Sequence, residues 1–143
     1  MEKVIGYTAG VFDLFHIGHL RILKKAKLNC DYLIVAVSSD ELVESYKSKT
    51  PVIPLQHRME IISALKCVDE VVIQTSRDKL EALRNYGFNV MFVGDDWKGD
   101  PMWDELENQF QRAGARIVYF PYTKEISSSS LNKRLVEMDM ESS

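Results

Sequence analysis

The chain has 143 residues, a length that suits one domain with one core. With 45% hydrophobic and 27% charged residues it has the make-up of a soluble globular protein. A net charge of −3 excludes a global basic field for nucleic acid or membrane, and no apolar run approaches the roughly 20 residues of a membrane helix.

Met1-Glu2-Lys3-Val4 leads straight into a strand and carries no signal-peptide pattern. Cys30 and Cys67 lack CxxC spacing and lie in apolar stretches, so buried, reduced thiols in a cytoplasmic protein are expected. Residues 3–7 read as a first strand. A glycine-containing segment, 10–19, follows, and residues 20–26 have the pattern of an amphipathic helix. Residues 31–37 form a nearly continuous apolar run, as expected of a parallel strand buried on both faces. Residues 38–41 are capping signals for a short helix through Leu42 and Val43, and 46–55, with Pro51 and Pro54, read as a loop. Residues 56–65 have helical spacing, 69–73 read as a third strand, and 78–86 as a helix ended by Gly87. A fourth strand spans 89–93, a helix 102–113 stops at Gly114, and a fifth strand spans 115–120. Ser127 begins a last helix through Leu131, Leu135 and Val136, and the tail from Asp139 is expected to fray.

Five strands alternating with helices predict an α/β fold, a single doubly wound domain with a parallel sheet. Ligands of such sheets bind beyond the carboxyl ends of the strands, where strand order reverses. The polar segments after strands one, four and five would share that rim.

The segment Gly10-Val11-Phe12-Asp13-Leu14-Phe15-His16-Ile17-Gly18-His19 is the richest in chemistry. A helix start offers unpaired N–H groups and positive potential, a natural place for phosphate. Two imidazoles there, with Gly18 allowing close approach, point to chemistry on a phosphate, as preorganised donors to developing charge. Lys47, Lys49 and Arg58, with Lys66 nearby, lie in or beside the proline loop. Cations there would offset the repulsion between two phosphorylated reactants. Gly94-Asp95-Asp96-Trp97 closes the fourth strand, and its carboxylates could accept from a base amino group or help hold Mg²⁺. A turn that caps the next helix is the alternative for Asp96 and Trp97. Tyr122 to Ser129 puts hydroxyls and free N–H groups before a helix, suited to triphosphate oxygens.

Gly10-x-Phe12-Asp13-x-x-His16-x-Gly18-His19 resembles the GxFDxxHxGH signature of the cytidylyltransferase-like nucleotidyltransferases. The resemblance extends along nearly the whole chain. It takes in His57-Arg58, Cys67-Val68-Asp69-Glu70-Val71 against YVDEV, and Gly94-Asp95-Asp96-Trp97 against GDDW. It implies a Rossmann-like nucleotidyltransferase domain over 1–138 that joins CTP to a small phosphorylated alcohol, glycerol 3-phosphate first, and releases pyrophosphate. Mg²⁺ would bridge the nucleotide phosphates without a protein metal site. His16, His19, Lys47 and Arg58 would be catalytic. Gly10, Val11, Phe12, His16, His19, Asp95, Thr123, Ile126, Ser127 and Ser128 would bind the nucleotide, with Asp95 near the cytosine. Lys47, Lys49 and Arg58 would meet the acceptor phosphate, or, for Arg58, orient the loop. A homodimer is implied, with neither nucleic acid nor membrane as partner.

The chain departs from the family at RTEGIST, where Tyr122 replaces the arginine and Lys124-Glu125 replace Glu-Gly. This departure makes a CTP-binding module without turnover one alternative, and the HxGH signature that adenylyltransferases share makes an adenylyltransferase on a sugar phosphate or other phosphorylated acceptor another. Residues 16–19 also spell the HIGH of class I aminoacyl-tRNA synthetases, but the chain is too short for an anticodon domain and has no KMSKS or basic surface.

Overall fold

A computed structural model describes residues 3–94 and 98–121. The elements in chain order are β1 (Ile5–Gly10), α1 (Ile17–Leu28), β2 (Tyr32–Ser38), α2 (Asp40–Lys47), α3 (Leu55–Ser63), β3 (Glu70–Gln74), α4 (Lys79–Tyr86), β4 (Val90–Gly94), α5 (Pro101–Arg112) and β5 (Arg116–Phe120). The strands form one five-stranded sheet in the order β3-β2-β1-β4-β5. Every pairing is parallel. This is the doubly wound, Rossmann-like arrangement expected from the alternation of strands and helices, and its order reverses between β1 and β4.

The sheet is covered on both faces, which explains the unbroken apolar run of β2. On one face Leu23 and Ala26 of α1 and Ile62 of α3 pack with Leu33, Val35, Val37, Val90, Phe92 and Phe120. On the other, Trp103 and Phe110 of α5 pack with Tyr7, Ile34, Ala36, Phe88 and Met91, with Leu80 and Leu83 of α4 alongside. Successive β2 residues therefore alternate between two cores rather than between core and water.

Most boundaries shift by one to three residues from their expected places, and two shifts matter. Helix α1 begins at Ile17 with His16 as its N-cap, three residues before the expected start, so both histidines belong to the helix terminus. Helix α2 runs on to Lys47 and ends at Ser48 in the left-handed region (φ 55°), so Lys47 belongs to a helix rather than to the proline loop. Ser39 caps α2 by accepting from Leu42 N, as the sequence suggested. Gly87 closes α4 at φ 60°, a conformation that suits glycine. The last helix expected from Ser127 lies outside the described residues.

At the reversal point, β1 and β4 are in register only at Gly6↔Val90 and Tyr7↔Met91. Beyond them the buried Thr8 hydroxyl donates to the Phe92 carbonyl at 3.0 Å, where the ladder stops. The ladder goes no further, and this switch point, beside the β1–α1 turn, is where sheets of this kind place their ligand crevice. Thr8→Val keeps the shape but leaves the Phe92 carbonyl buried without this donor. It should lower unfolding free energy by about 1–2 kcal/mol, read as a lower urea midpoint at unchanged slope. An unchanged midpoint would show that the bond does not hold the crevice.

Candidate active site

The β1–α1 turn is built by unusual backbone. Phe12 and Leu14 take positive φ values of 55° and 49°, a region non-glycine residues adopt only when their surroundings enforce it. Gly10 has its place here because a Cβ on it would stand 3.0 Å from Cε2 of the Phe12 ring. The Phe12 ring, folded back this way, meets the His19 ring edge-on with centroids 5.5 Å apart.

His16 and His19 close the helix start reciprocally. Gly18 N donates to His16 Nδ1 at 3.0 Å, and His16 N donates to His19 Nδ1 at 3.3 Å. This is the capping-box arrangement with imidazoles in place of the usual hydroxyl and carboxylate. Because each Nδ1 accepts from a backbone N–H, each neutral ring carries its proton on Nε2, and Nε2–H is the donor it offers. The rings stack with centroids 4.0 Å apart, a spacing that disfavours two positive charges. Burial first, then His16, push the pKa of His19 down to about 4, against an opposing pull from Asp13. Burial also lowers that of His16. Both rings are therefore neutral near pH 7.

Two residues tie this turn to the proline loop. Asp13 accepts from Val52 N at 2.8 Å through Oδ2 and from Ile53 N at 2.9 Å through Oδ1. Arg58 is 1% exposed. Its Nε donates to Ile53 O at 2.8 Å, its Nη1 to both Val11 O and Ser38 O at 2.8 Å, and its Nη2 to the Asp40 carboxylate. Four of its five N–H groups are thus committed within the protein, joining the ends of β1 and β2, the proline loop and the start of α2. Of the two expected roles, the geometry gives Arg58 that of orienting the loop. The expectation of an acceptor-phosphate contact is corrected, because a buried guanidinium with these partners does not present itself to a ligand. Val11 likewise contributes its carbonyl to Arg58.

Lys47 ends α2, and Lys49 follows it on the exposed connection to the proline loop. Lys47 has its pKa lowered by partial burial first and then by Lys49 and Arg77, with Asp13 opposing, so it stands in a shared field of cations beside the β1–α1 turn. Sequence reasoning missed Arg77, which comes from the β3–α4 connection with no motif around it. Lys66 precedes β3 and so falls at the amino end of that strand, opposite the rim. Asp69, from the VDEV segment, accepts from Leu33 N at 2.8 Å and ties β3 to β2. Asp95, Thr123, Ile126, Ser127 and Ser128, with Tyr122 and Lys124, lie outside the described residues. No group of three His, Cys, Asp or Glu side chains suited to a metal ion occurs among the described residues.

The cytidylyltransferase-like family model matches residues 7–134. The chain belongs to the cytidylyltransferase-like family. It is 35% identical over 136 residues to a glycerol-3-phosphate cytidylyltransferase from Bacillus subtilis, covering 94% of this chain and 98% of that one. It is also 31% identical over 140 residues to an FAD synthase from Thermococcus sibiricus, covering 95% of both chains. Among solved structures it resembles a lipopolysaccharide core biosynthesis protein from Thermoplasma volcanium, with a TM-score of 0.71 at 26% identity, over 87% of this chain and 100% of that one. These relatives make the chain a nucleotidyltransferase-type enzyme.

Two outcomes are expected. Arg58→Met should cost about 2–4 kcal/mol in urea unfolding, since three carbonyls and a carboxylate lose their donor at once. A loss below 1 kcal/mol would mean that the network is replaceable. For His19, the folded pKa lies below the unfolded one, so between pH 6.5 and about 4 the unfolded chain binds more protons. Wild-type stability should fall through that window as pH falls, and His19→Asn should flatten this part of the profile. Parallel wild-type and variant profiles would refute the depressed pKa.

Proposed function

We propose that the enzyme transfers a cytidylyl group from CTP to the phosphate of a small alcohol, glycerol 3-phosphate first, releasing pyrophosphate. The observation that carries the reading is the reciprocal His16–His19 cap, which sets two neutral Nε2–H donors at a helix N-terminus beside the β1/β4 crevice. An acceptor phosphate oxygen attacks the α-phosphorus in line. Its bond to phosphorus forms as the bond from phosphorus to the bridging oxygen breaks, and that oxygen leaves in pyrophosphate. His16 and His19 donate hydrogen bonds to the oxygens on which charge develops, and the helix N-terminus adds its field. Neutral imidazoles can do this without changing charge, so no proton need be gained before the step. Lys47 and Lys49 draw the two phosphorylated reactants together. Asp13 and Arg58 act through the loop they hold.

Mg²⁺ belongs to the same reading as the counter-ion of the triphosphate. Among the described residues the carboxylate of Asp13 is taken by backbone N–H groups, so the metal would enter with the nucleotide rather than on a protein site. Asp95 near the cytosine, the residue 123–128 segment on the triphosphate, a homodimer and a cytoplasmic setting complete the proposal. The 31% identity to an FAD synthase supports a second reading, in which the nucleotide is ATP and the acceptor another phosphorylated molecule.

Pyrophosphate release, followed with CTP or ATP against a panel of phospho-alcohols and riboflavin phosphate, separates the readings. CTP with glycerol 3-phosphate should give the highest kcat/KM, and higher turnover with ATP would favour the second. In the active pairing His16→Ala should lower kcat by about 10²–10³-fold, more than the about 0.5–2 kcal/mol of stability lost with the α1 cap accounts for. Undiminished kcat in that variant would remove His16 from the mechanism.

A further inference from the structure

The carboxyl ends of β2 and β3 carry a polar pair on the face of the sheet that α4 and α5 cover. Along β2, Ile34 and Ala36 belong to the core beneath those helices, and Ser38 follows them in step. Along β3, Val72 belongs to the same core and Gln74 follows it. Ser38 and Gln74 are partners in the parallel register. The hydroxyl of Ser38, a residue 2% exposed, donates to Gln74 Oε1 at 2.6 Å. Ser39 N donates to Gln74 O at 3.0 Å, so both the main chain and the side chain of Gln74 are fastened to the end of β2.

The bond to Ser38 occupies the oxygen of the amide and leaves its nitrogen. Gln74 Nε2 donates to no described residue, and it is not among the buried polar atoms that lack a partner, so solvent reaches it. Two N–H donors are therefore held ready at the rim. Their neighbourhood is open. Ala9, paired with Ala36, lies on the same face of β1 as Tyr7 and is exposed, although β1 is the central strand. The cover of this face thus stops short of the rim and leaves a recess over Ala9. The polar pair also stands close to the histidine turn, because one nitrogen, Arg58 Nη1, holds both Val11 O and Ser38 O.

An acceptor whose phosphate is placed for attack at the histidine turn must send the rest of its skeleton to one side of β1. The β4 side holds the crevice proposed for the nucleotide. The β2 side offers the recess and the Gln74 amide, whose side chain reaches back to Ser38, one strand spacing (about 4.8 Å) from β1. We propose that Gln74 is a specificity-determining residue, which binds a hydroxyl of the acceptor's alcohol chain through Nε2 and so selects polyol phosphates over amino-alcohol phosphates. The word acceptor rests on the nucleotidyl-transfer reading; the recognition of a hydroxyl does not. An N–H donor needs a lone pair, which a hydroxyl oxygen has and a protonated amine lacks. An ammonium brought to this amide would lose hydration and find no acceptor in return.

The test compares glycerol 3-phosphate with propyl phosphate, which has the same phosphate and chain length without the hydroxyls. Both are titrated into ¹⁵N-labelled protein, alone and with the unreactive analogue α,β-methylene CTP and Mg²⁺. Glycerol 3-phosphate should bind about five- to tenfold more tightly and shift the side-chain Nε2 signals of Gln74, which propyl phosphate should leave in place. Gln74→Met keeps the length of the side chain and removes the donors. It should bring the two ligands within about twofold of each other by weakening glycerol 3-phosphate alone. In turnover the same variant should raise KM for glycerol 3-phosphate and spare KM for CTP. Gln74→Glu keeps an acceptor for Ser38 and puts a carboxylate at the recess, so it should raise kcat/KM for phosphoethanolamine relative to glycerol 3-phosphate. Equal affinity of the two ligands in wild type, a preference that survives in Gln74→Met, or binding of neither ligand overturns the proposal. A hydroxyl preference that needs Gln74, in a protein that releases pyrophosphate with no nucleotide, upholds the role of the amide while the transferase reading fails. Pyrophosphate release with no preference for hydroxyls does the reverse.

Discussion

A guanidinium removed from water must find partners for nearly all its N–H groups, and the rim of this sheet is arranged around that demand. Arg58 rises from the first turns of α3 into the gap between the ends of β1 and β2. There it gathers Val11 O, Ser38 O, Ile53 O and the Asp40 carboxylate. These acceptors lie at or beside the ends and starts of regular elements, and each would otherwise seek water. One side chain thereby sets the positions of the β1–α1 turn, the start of α2 and the proline loop relative to each other. The histidine turn and the cation-bearing helix end inherit their separation from this arrangement.

The histidines illustrate how a structural requirement and a chemical one coincide. The first turn of a helix leaves backbone N–H groups unpaired, and an imidazole that accepts one must do so through a bare nitrogen. Capping by Nδ1 therefore determines the tautomer and leaves Nε2–H for a ligand. Stacking at 4.0 Å and burial then keep both rings uncharged. The site thus combines neutral donors at the histidine turn with the lysines at the end of α2, Lys47 and Lys49. In the proposed reaction, charge repulsion between reactants would be countered at some distance from the histidines, which would only need to follow charge as it moves.

Much of this was legible in the sequence, for identifiable reasons. Residues 31–37 could be read as a doubly covered strand because both faces demand apolar side chains. The alternation of strands and helices then led to a doubly wound parallel sheet. The histidine pair was legible through its glycine-rich context, although its capping role was not, since neither imidazole is a usual cap residue. Arg58 was visible as part of a pair with His57, but burial of an arginine depends on four acceptors drawn from separate segments, and no local pattern encodes that. Arg77 was silent for the same reason. Its guanidinium lies over the ring of Tyr46 from another element, and only the parallel crossover from β2 to β3 brings the two together. The reach of α2 to Lys47 was obscured by the prolines that follow.

The tetrapeptide Pro51-Val52-Ile53-Pro54 contains only two backbone donors, because proline has none. Both are given to Asp13. The segment consequently has no amide left with which to join a helix or a sheet edge: its two donors go to one carboxylate of the histidine turn, while its Ile53 carbonyl is held by Arg58. The prolines also narrow the range of conformations open to the released segment, so that fastening it sacrifices less disorder than an ordinary loop would. Opening and closing of this piece should then behave as a single latch, with the amide protons of Val52 and Ile53 exchanging together and at a rate set by the Asp13 and Arg58 side chains that hold it.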